Sequence, residues 1–243
     1  MKSFLMMLTF LTRIPIKINF EYKKKDFLKG IYFIPLIGLI IGVFFFLLSK
    51  LEFFLDKPVL AIIIWIFYIW ITGGLHIDGL ADTIDGIFSN RKKERILEIM
   101  RDSKIGAFGV ISIILLLSLN VLLTYYINLK YLLLVPIIGR SSMLIACSIS
   151  NYARKGPGMG KDIIENCGFK KLILGVIFPI LLVIILNYNY DLILLMLLTN
   201  IFVLLITKHI KGIIDGITGD TIGFIIEISQ TIFMFSLYIN SLI

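Results

Sequence analysis

Residues 31–55 read Ile31-Tyr32-Phe33-Ile34-Pro35-Leu36-Ile37-Gly38-Leu39-Ile40-Ile41-Gly42-Val43-Phe44-Phe45-Phe46-Leu47-Leu48-Ser49-Lys50-Leu51-Glu52-Phe53-Phe54-Leu55. No charged side chain interrupts the run before Lys50. A hydrocarbon core about 30 Å thick is crossed by about 20 helical residues, and this stretch supplies them. Inside lipid the backbone must satisfy its own hydrogen bonds, so the segment is expected to be a helix and not a strand.

Six further segments repeat the pattern: Val59–Leu75, Ile105–Ile127, Tyr131–Ser150, Leu172–Leu186, Leu192–Thr207 and Thr221–Ile239. Composition agrees with them. Of 243 residues, 58% are hydrophobic and only 16% charged, and the mean hydropathy is +0.98. Soluble domains run at about 45–50% apolar and about 25% charged, so a soluble enzyme, a disordered tail and a disulfide-rich secreted module are all excluded. The expected class is all-α: a polytopic integral membrane bundle of about seven transmembrane helices, forming one domain over residues 1–243. Ser3 to Ile18, within an N-terminal segment of residues 1–30, is a shorter apolar stretch broken at Arg13 and Pro15. It reads as an interfacial or re-entrant helix. It lacks a small-x-small cleavage site, so it is expected to be retained.

The net charge of +8 does not point to nucleic acid, because the basic residues lie in short clusters between apolar runs. Lys and Arg number seven up to Lys29, six over 76–104 and five over 151–171, followed by Lys208 and Lys211. The alternate connections carry two, one and none. This alternation places the N-terminus in the cytoplasm and the C-terminus outside. Cys147 and Cys167 show neither CxxC nor Cys/His spacing, so neither a disulfide framework nor a zinc site is expected.

Chemistry is then expected in the cytoplasmic connections, above all residues 76–104. Their start, with the two preceding glycines, reads Gly73-Gly74-Leu75-His76-Ile77-Asp78-Gly79-Leu80-Ala81-Asp82-Thr83-Ile84-Asp85-Gly86. Asp78, Asp82 and Asp85 have i, i+4, i+7 spacing, which puts them within an arc of about 60° on a helix. Three like charges on one face destabilise a helix unless something cationic neutralises them. All-oxygen ligands suit Mg²⁺ or Mn²⁺ better than zinc. For any one Asp the plainer alternative is a solvated face answering Arg91, Lys92, Lys93 and Arg95.

A second acidic cluster, Asp215-Gly216-Ile217-Thr218-Gly219-Asp220-Thr221-Ile222-Gly223, opens the last span. Its glycines predict a turn, with Asp220 or Thr218 capping the next helix. Glu227 and Arg140 are charges inside spans, where each is a functional-site hypothesis and needs a partner. Arg101, Ser103 and Lys104 precede the third span at a helix N-terminus suited to anions. Arg154-Lys155-Gly156-Pro157-Gly158-Met159-Gly160 is a basic, Gly-rich loop able to cradle a diphosphate. Together these features suggest metal-assisted phosphoryl transfer from a diphosphate-containing substrate. A transporter lined by Arg140 and Glu227 is the alternative from another class.

The Asp stripe in part resembles CDP-alcohol phosphotransferases, without their Asp-Gly-x-x-Ala-Arg opening or paired downstream aspartates. The whole Gly73–Gly86 run resembles more closely the signature of the cobalamin synthase family. Leu11-Thr12-Arg13-Ile14-Pro15, Met100-Arg101-Asp102-Ser103-Lys104-Ile105-Gly106-Ala107-Phe108-Gly109, Gly139-Arg140-Ser141 and Gly219–Gly223 with Glu227 continue the resemblance in order along the chain. It implies a Mg²⁺-dependent enzyme of the cytoplasmic membrane that joins adenosylcobinamide-GDP to α-ribazole or its 5′-phosphate and releases GMP. The implied partners are these small molecules and the lipid bilayer, with a homo-oligomer left open. On this basis Asp78, Asp82 and Asp85 are expected to bind metal, and Asp82, Asp85 or Asp220 to act in catalysis. Arg101, Lys104, Arg154, Arg140, Asp215 and Glu227 are the expected substrate and phosphate contacts. The loop after Gly160 is short, so no corrinoid-binding residue is assigned.

Overall fold

A computed structural model describes residues 1–16 and 21–242. Two helices precede the apolar runs: α1 (Lys2–Leu11) and α2 (Lys24–Gly30). The bundle proper is built from α3 (Ile34–Ser49), α4 (Lys57–Thr72), α5 (Leu75–Phe88), α6 (Lys93–Ile99) and α7 (Ala107–Tyr126). It is completed by α8 (Val135–Ile149), α9 (Met159–Glu165), α10 (Phe169–Ile185), α11 (Asp191–Ile214) and α12 (Gly219–Asn240). Among the described residues the sole β pairing is a single bridge between Tyr152 and Ile217.

Five continuous helical segments, Lys24–Phe53, Ala107–Tyr126, Leu129–Ile149, Asp191–Ile214 and Gly219–Asn240, are long and apolar enough to cross a membrane. Two bent pairs, α4 with α5 at 90° and α9 with α10 at 92°, raise the number to seven when each counts as one span. The all-α membrane bundle expected from hydropathy is therefore present, and the seven apolar runs fall on α3, α4, α7, α8, α10, α11 and α12. The N-terminal apolar stretch forms helix only over α1; Lys17 and Ile18 lie outside the described residues.

The core is the helix most enclosed by its neighbours. From Val135 to Cys147 every residue of α8 is buried, with α3, α10, α11 and α12 packed around it. By contrast α7 leaves Val110, Ile111, Ile114, Leu115, Leu119 and Leu122 exposed, as a lipid-facing helix must, since lipid tails are as apolar as Leu.

The sharp bend after α4 positions the Asp stripe. Gly73 and Gly74 are both left-handed, with φ of 64° and 70°, a conformation that costs a glycine little. Helix α5 therefore leaves the axis of α4 and runs across one face of the bundle. Its first turns pack against the first turn of α12: a Cβ at Gly79 would lie 2.7 Å from the Asp220 carbonyl oxygen, and one at Gly223 would lie 2.9 Å from that of His76. Its last turns reach the N-terminus of α7, where Asp85 accepts hydrogen bonds from Gly106 and Gly109. Helix α5 thus spans the gap between two helix N-termini on the same face.

Candidate active site

Helix α5 carries Asp78, Asp82 and Asp85 on one face, as their spacing predicts, but the three are not used alike. Asp78 is exposed and Asp82 and Asp85 are half-buried. The two oxygens of Asp85 accept from the backbone N–H of Gly106 at 2.7 Å and of Gly109 at 2.8 Å. These are donors that the start of α7 would otherwise leave open. Asp85 therefore caps α7 across space, fixing the Arg101–Gly109 segment to α5.

Asp220 enters from α12. The capping box of that helix is formed by Thr218 and Thr221: the Thr218 hydroxyl accepts from Thr221 N–H at 3.2 Å, and the Thr221 hydroxyl accepts from Thr218 N–H at 2.7 Å. Of the two capping candidates Thr218 fills the role, which frees the Asp220 carboxylate. It accepts a hydrogen bond from the Thr218 hydroxyl at 3.2 Å and pairs with the Arg154 guanidinium at 2.6 Å. Arg154 also donates to the carbonyl of Met100 at 3.2 Å. One side chain thus ties the Gly-rich loop, the segment before α7 and the start of α12 together.

Asp82 lies among these groups. Its burial, with Asp78 and Asp220 close by, pushes its carboxyl up to about 7, against the opposing pull of Arg154. Carboxylates crowded this way disfavour each other's ionisation. The donor set is oxygen only, which is what a hard divalent cation would require. Among the described residues no three acidic, His or Cys groups already converge at metal-ligand spacing. A cation would draw on Asp78 and Asp220, with Asp82 beside them, while Asp85 holds α7. Beside Asp78 and Asp220 a cavity of about 260 Å³ opens.

The remaining predicted residues divide. Arg101 and Lys104 are exposed on the segment that Asp85 anchors. Asp215 is elsewhere: it is the left-handed residue that ends α11, it is exposed, and its carboxylate pairs with Lys93 at 2.9 Å. Arg140 and Glu227, expected as substrate contacts, lie inside the bundle with protein partners, each being 0% exposed. Arg140 donates to the Tyr68 hydroxyl at 3.1 Å and to Gln230 Oε1 at 3.3 Å, and Tyr68 donates to Glu227 at 2.6 Å. The partner that Arg140 requires is thus reached through a tyrosine, and the cluster ties α4, α8 and α12 inside the bundle. Tyr68 and Gln230 are invisible in the sequence, because a lone Tyr in an apolar run carries no signal of what it faces.

The geometry on this face meets a clear sequence relationship. The profile of the cobalamin-5-phosphate synthase family matches residues 3–238. The chain belongs to this family. A protein of Alkaliphilus oremlandii named adenosylcobinamide-GDP ribazoletransferase is 49% identical over 239 residues, covering 98% of each chain. Proteins of the same name from Clostridium acetobutylicum and Acetivibrio thermocellus are 39% and 40% identical, over 98% of this chain and 96% and 98% of theirs. No solved structure matches. As a cobalamin-5-phosphate synthase relative, the chain is a multi-pass membrane transferase of cobalamin biosynthesis. The transporter and lipid-synthesis alternatives left open by its residues fall away.

Proposed function

We propose that the protein transfers the phosphocobinamide group of adenosylcobinamide-GDP to a ribose hydroxyl of α-ribazole or α-ribazole 5′-phosphate, releasing GMP. The single observation that carries this reading is the gathering of Asp78, Asp82 and Asp220 with Arg154 at the first half of α5, in a chain similar over 98% of its length to a protein bearing that activity's name. In the step, the acceptor hydroxyl oxygen forms a bond to the phosphorus that carries the cobinamide. The bond from that phosphorus to the bridging oxygen breaks, and the oxygen leaves with GMP. The hydroxyl proton passes to a carboxylate.

Asp82 suits that last role. A base works best when its pKa lies near the operating pH, and burial among acids brings Asp82 there. Arg154 holds Asp220 in place and presents positive charge toward the diphosphate, with Arg101 and Lys104 to meet the outer phosphate. Bound Mg²⁺, held by Asp78 and Asp220, would neutralise the diphosphate and leave Asp82 beside it to take the proton. Asp85 acts by fixing α7 and the Arg101–Lys104 segment against the site. The loop charge count supports a location in the cytoplasmic membrane with the acidic face toward the cytoplasm, where the nucleotide donor would be met.

Purified full-length protein offered adenosylcobinamide-GDP with α-ribazole, and separately a CDP-alcohol with a lipid acceptor, tests this. GMP release in the first mixture alone is expected. CMP release in the second, with none of GMP in the first, would overturn the assignment.

A further inference from the structure

The cavity beside Asp78 and Asp220 lies between α1, α5, α8, α9 and the start of α12. Apolar side chains, among them Phe10, Leu11, Met143, Met159 and Ile163, line much of its wall, with the carboxylates of Asp78 and Asp220 as polar groups. At about 260 Å³ it falls below the range of about 300–1,000 Å³ that takes a whole drug-sized ligand. A corrin macrocycle is excluded by size, but a fused two-ring base is not. Guanine is disfavoured on other grounds: the two carboxylates can accept its N–H groups, but they repel its O6, N7 and N3 acceptors, and the apolar side chains of the wall offer these no donor. A benzimidazole offers one free ring nitrogen and otherwise apolar edges. The mostly apolar wall therefore suits a base whose edge carries a single free ring nitrogen.

We propose that this cavity is the acceptor subsite, taking the apolar bicyclic base of the ribazole nucleoside and turning its ribose hydroxyls toward Asp78 and Asp220. The inference rests on the transferase reading and adds to it which substrate sits where. The base enters between α1 and α9, and the corrinoid donor approaches Asp82 from outside the cavity, along the side of Arg101 and Lys104. The pocket thus sorts acceptors by the width and polarity of the base, because a hydrophobic slot rejects excess bulk and unpaired polar edges.

Two full-length variants test the subsite. Met159 stands at the rim and is half exposed, so Met159→Trp narrows the entrance without disturbing the buried core. Met143 is buried, and Met143→Ala widens the floor. Michaelis constants are measured separately for α-ribazole and for adenosylcobinamide-GDP, and α-ribazole binding without donor is followed by its benzimidazole fluorescence. Met159→Trp is expected to raise KM and Kd for α-ribazole by about tenfold or more while the donor KM moves less than about twofold, the discrimination typical of one steric clash. Met143→Ala is expected to shift preference by about tenfold toward a riboside with a wider, three-ring base. A rise in donor KM with the acceptor constants unchanged, or no change in either, would overturn the subsite. Absence of GMP release by the wild-type protein would instead overturn the transferase reading itself.

Discussion

The guanidinium of Arg154 lies 2.6 Å from Oδ2 of Asp220, and both side chains are mostly buried, at 11% and 24% exposure. The pair joins the Gly-rich loop after α8 to the first turn of α12, and the positive charge of Arg154 also acts on Asp82. A partly buried charge-assisted pair of this kind is a joint as much as a contact.

Arg154→Met is expected to lower the transfer rate by roughly ten- to a hundredfold, corresponding to about 1.5–3 kcal/mol for a hydrogen bond to a charged group. Because Arg154 opposes the upward push on Asp82, its loss should also move the acidic limb of the pH–rate profile to higher pH. A rate loss with an unmoved limb would detach Arg154 from Asp82. Rates measured across about pH 5–9, the span around a base poised near neutrality, decide it.

Asp85 and Asp82 should separate in a metal titration. Asp85 caps α7 through Gly106 and Gly109, and loss of a helix cap costs about 1 kcal/mol. Asp85→Ala is therefore expected to lower the melting temperature in detergent while leaving the Mg²⁺ concentration for half-maximal rate near that of wild type. Asp82→Asn should leave the melting temperature nearly unchanged or raise it, and should shift the Mg²⁺ requirement or abolish turnover. Equal Mg²⁺ shifts in both variants would return Asp85 to the metal site.

Much of this arrangement is legible in the amino-acid sequence. Seven apolar runs map onto helices because the membrane solvent forces backbone self-satisfaction, and the i, i+4, i+7 aspartates share a face because helix geometry requires it. The division of labour among those aspartates is not legible there. That Asp85 spends its oxygens on α7 depends on a contact across 21 residues of chain, which no spacing rule encodes. The same holds for Arg140 and Glu227, whose connection runs through Tyr68, a residue 72 positions from Arg140 and 159 from Glu227. Charges inside spans signal that a partner exists, but not whether the partner is substrate or protein.

Stability should depend on pH through Asp82. Its folded pKa, about 7, lies above the ordinary Asp value of about 3.9. Between these values the folded state holds a proton that the unfolded state has released, so this group's contribution to stability falls as pH rises from about 4 to about 7. Without divalent cation, the melting temperature is expected to decline over that window, less steeply in Asp82→Asn. Added Mg²⁺ should restore stability at the upper end, where the carboxylate is ionised. An identical decline in wild type and variant would remove Asp82 as the source.

The crossing of α5 over α12 should tolerate no side chain. At Gly79 a Cβ would lie 2.7 Å from the Asp220 carbonyl oxygen, and overpacking of this kind costs about 1–3 kcal/mol. Gly79→Ala is expected to lower both melting temperature and turnover, because the displaced backbone is that of Asp220 itself. A fully active, equally stable variant would show that the two helices need not meet here.

The most direct test of the central claim is GMP release from adenosylcobinamide-GDP by purified wild-type protein, measured with α-ribazole and Mg²⁺ and with each left out in turn. The account predicts GMP formed in step with the cobalamin product only when all three are present, and at least about a hundredfold less with Asp82→Asn, the scale of a lost general base. GMP release that ignores α-ribazole or persists unchanged in Asp82→Asn would contradict it.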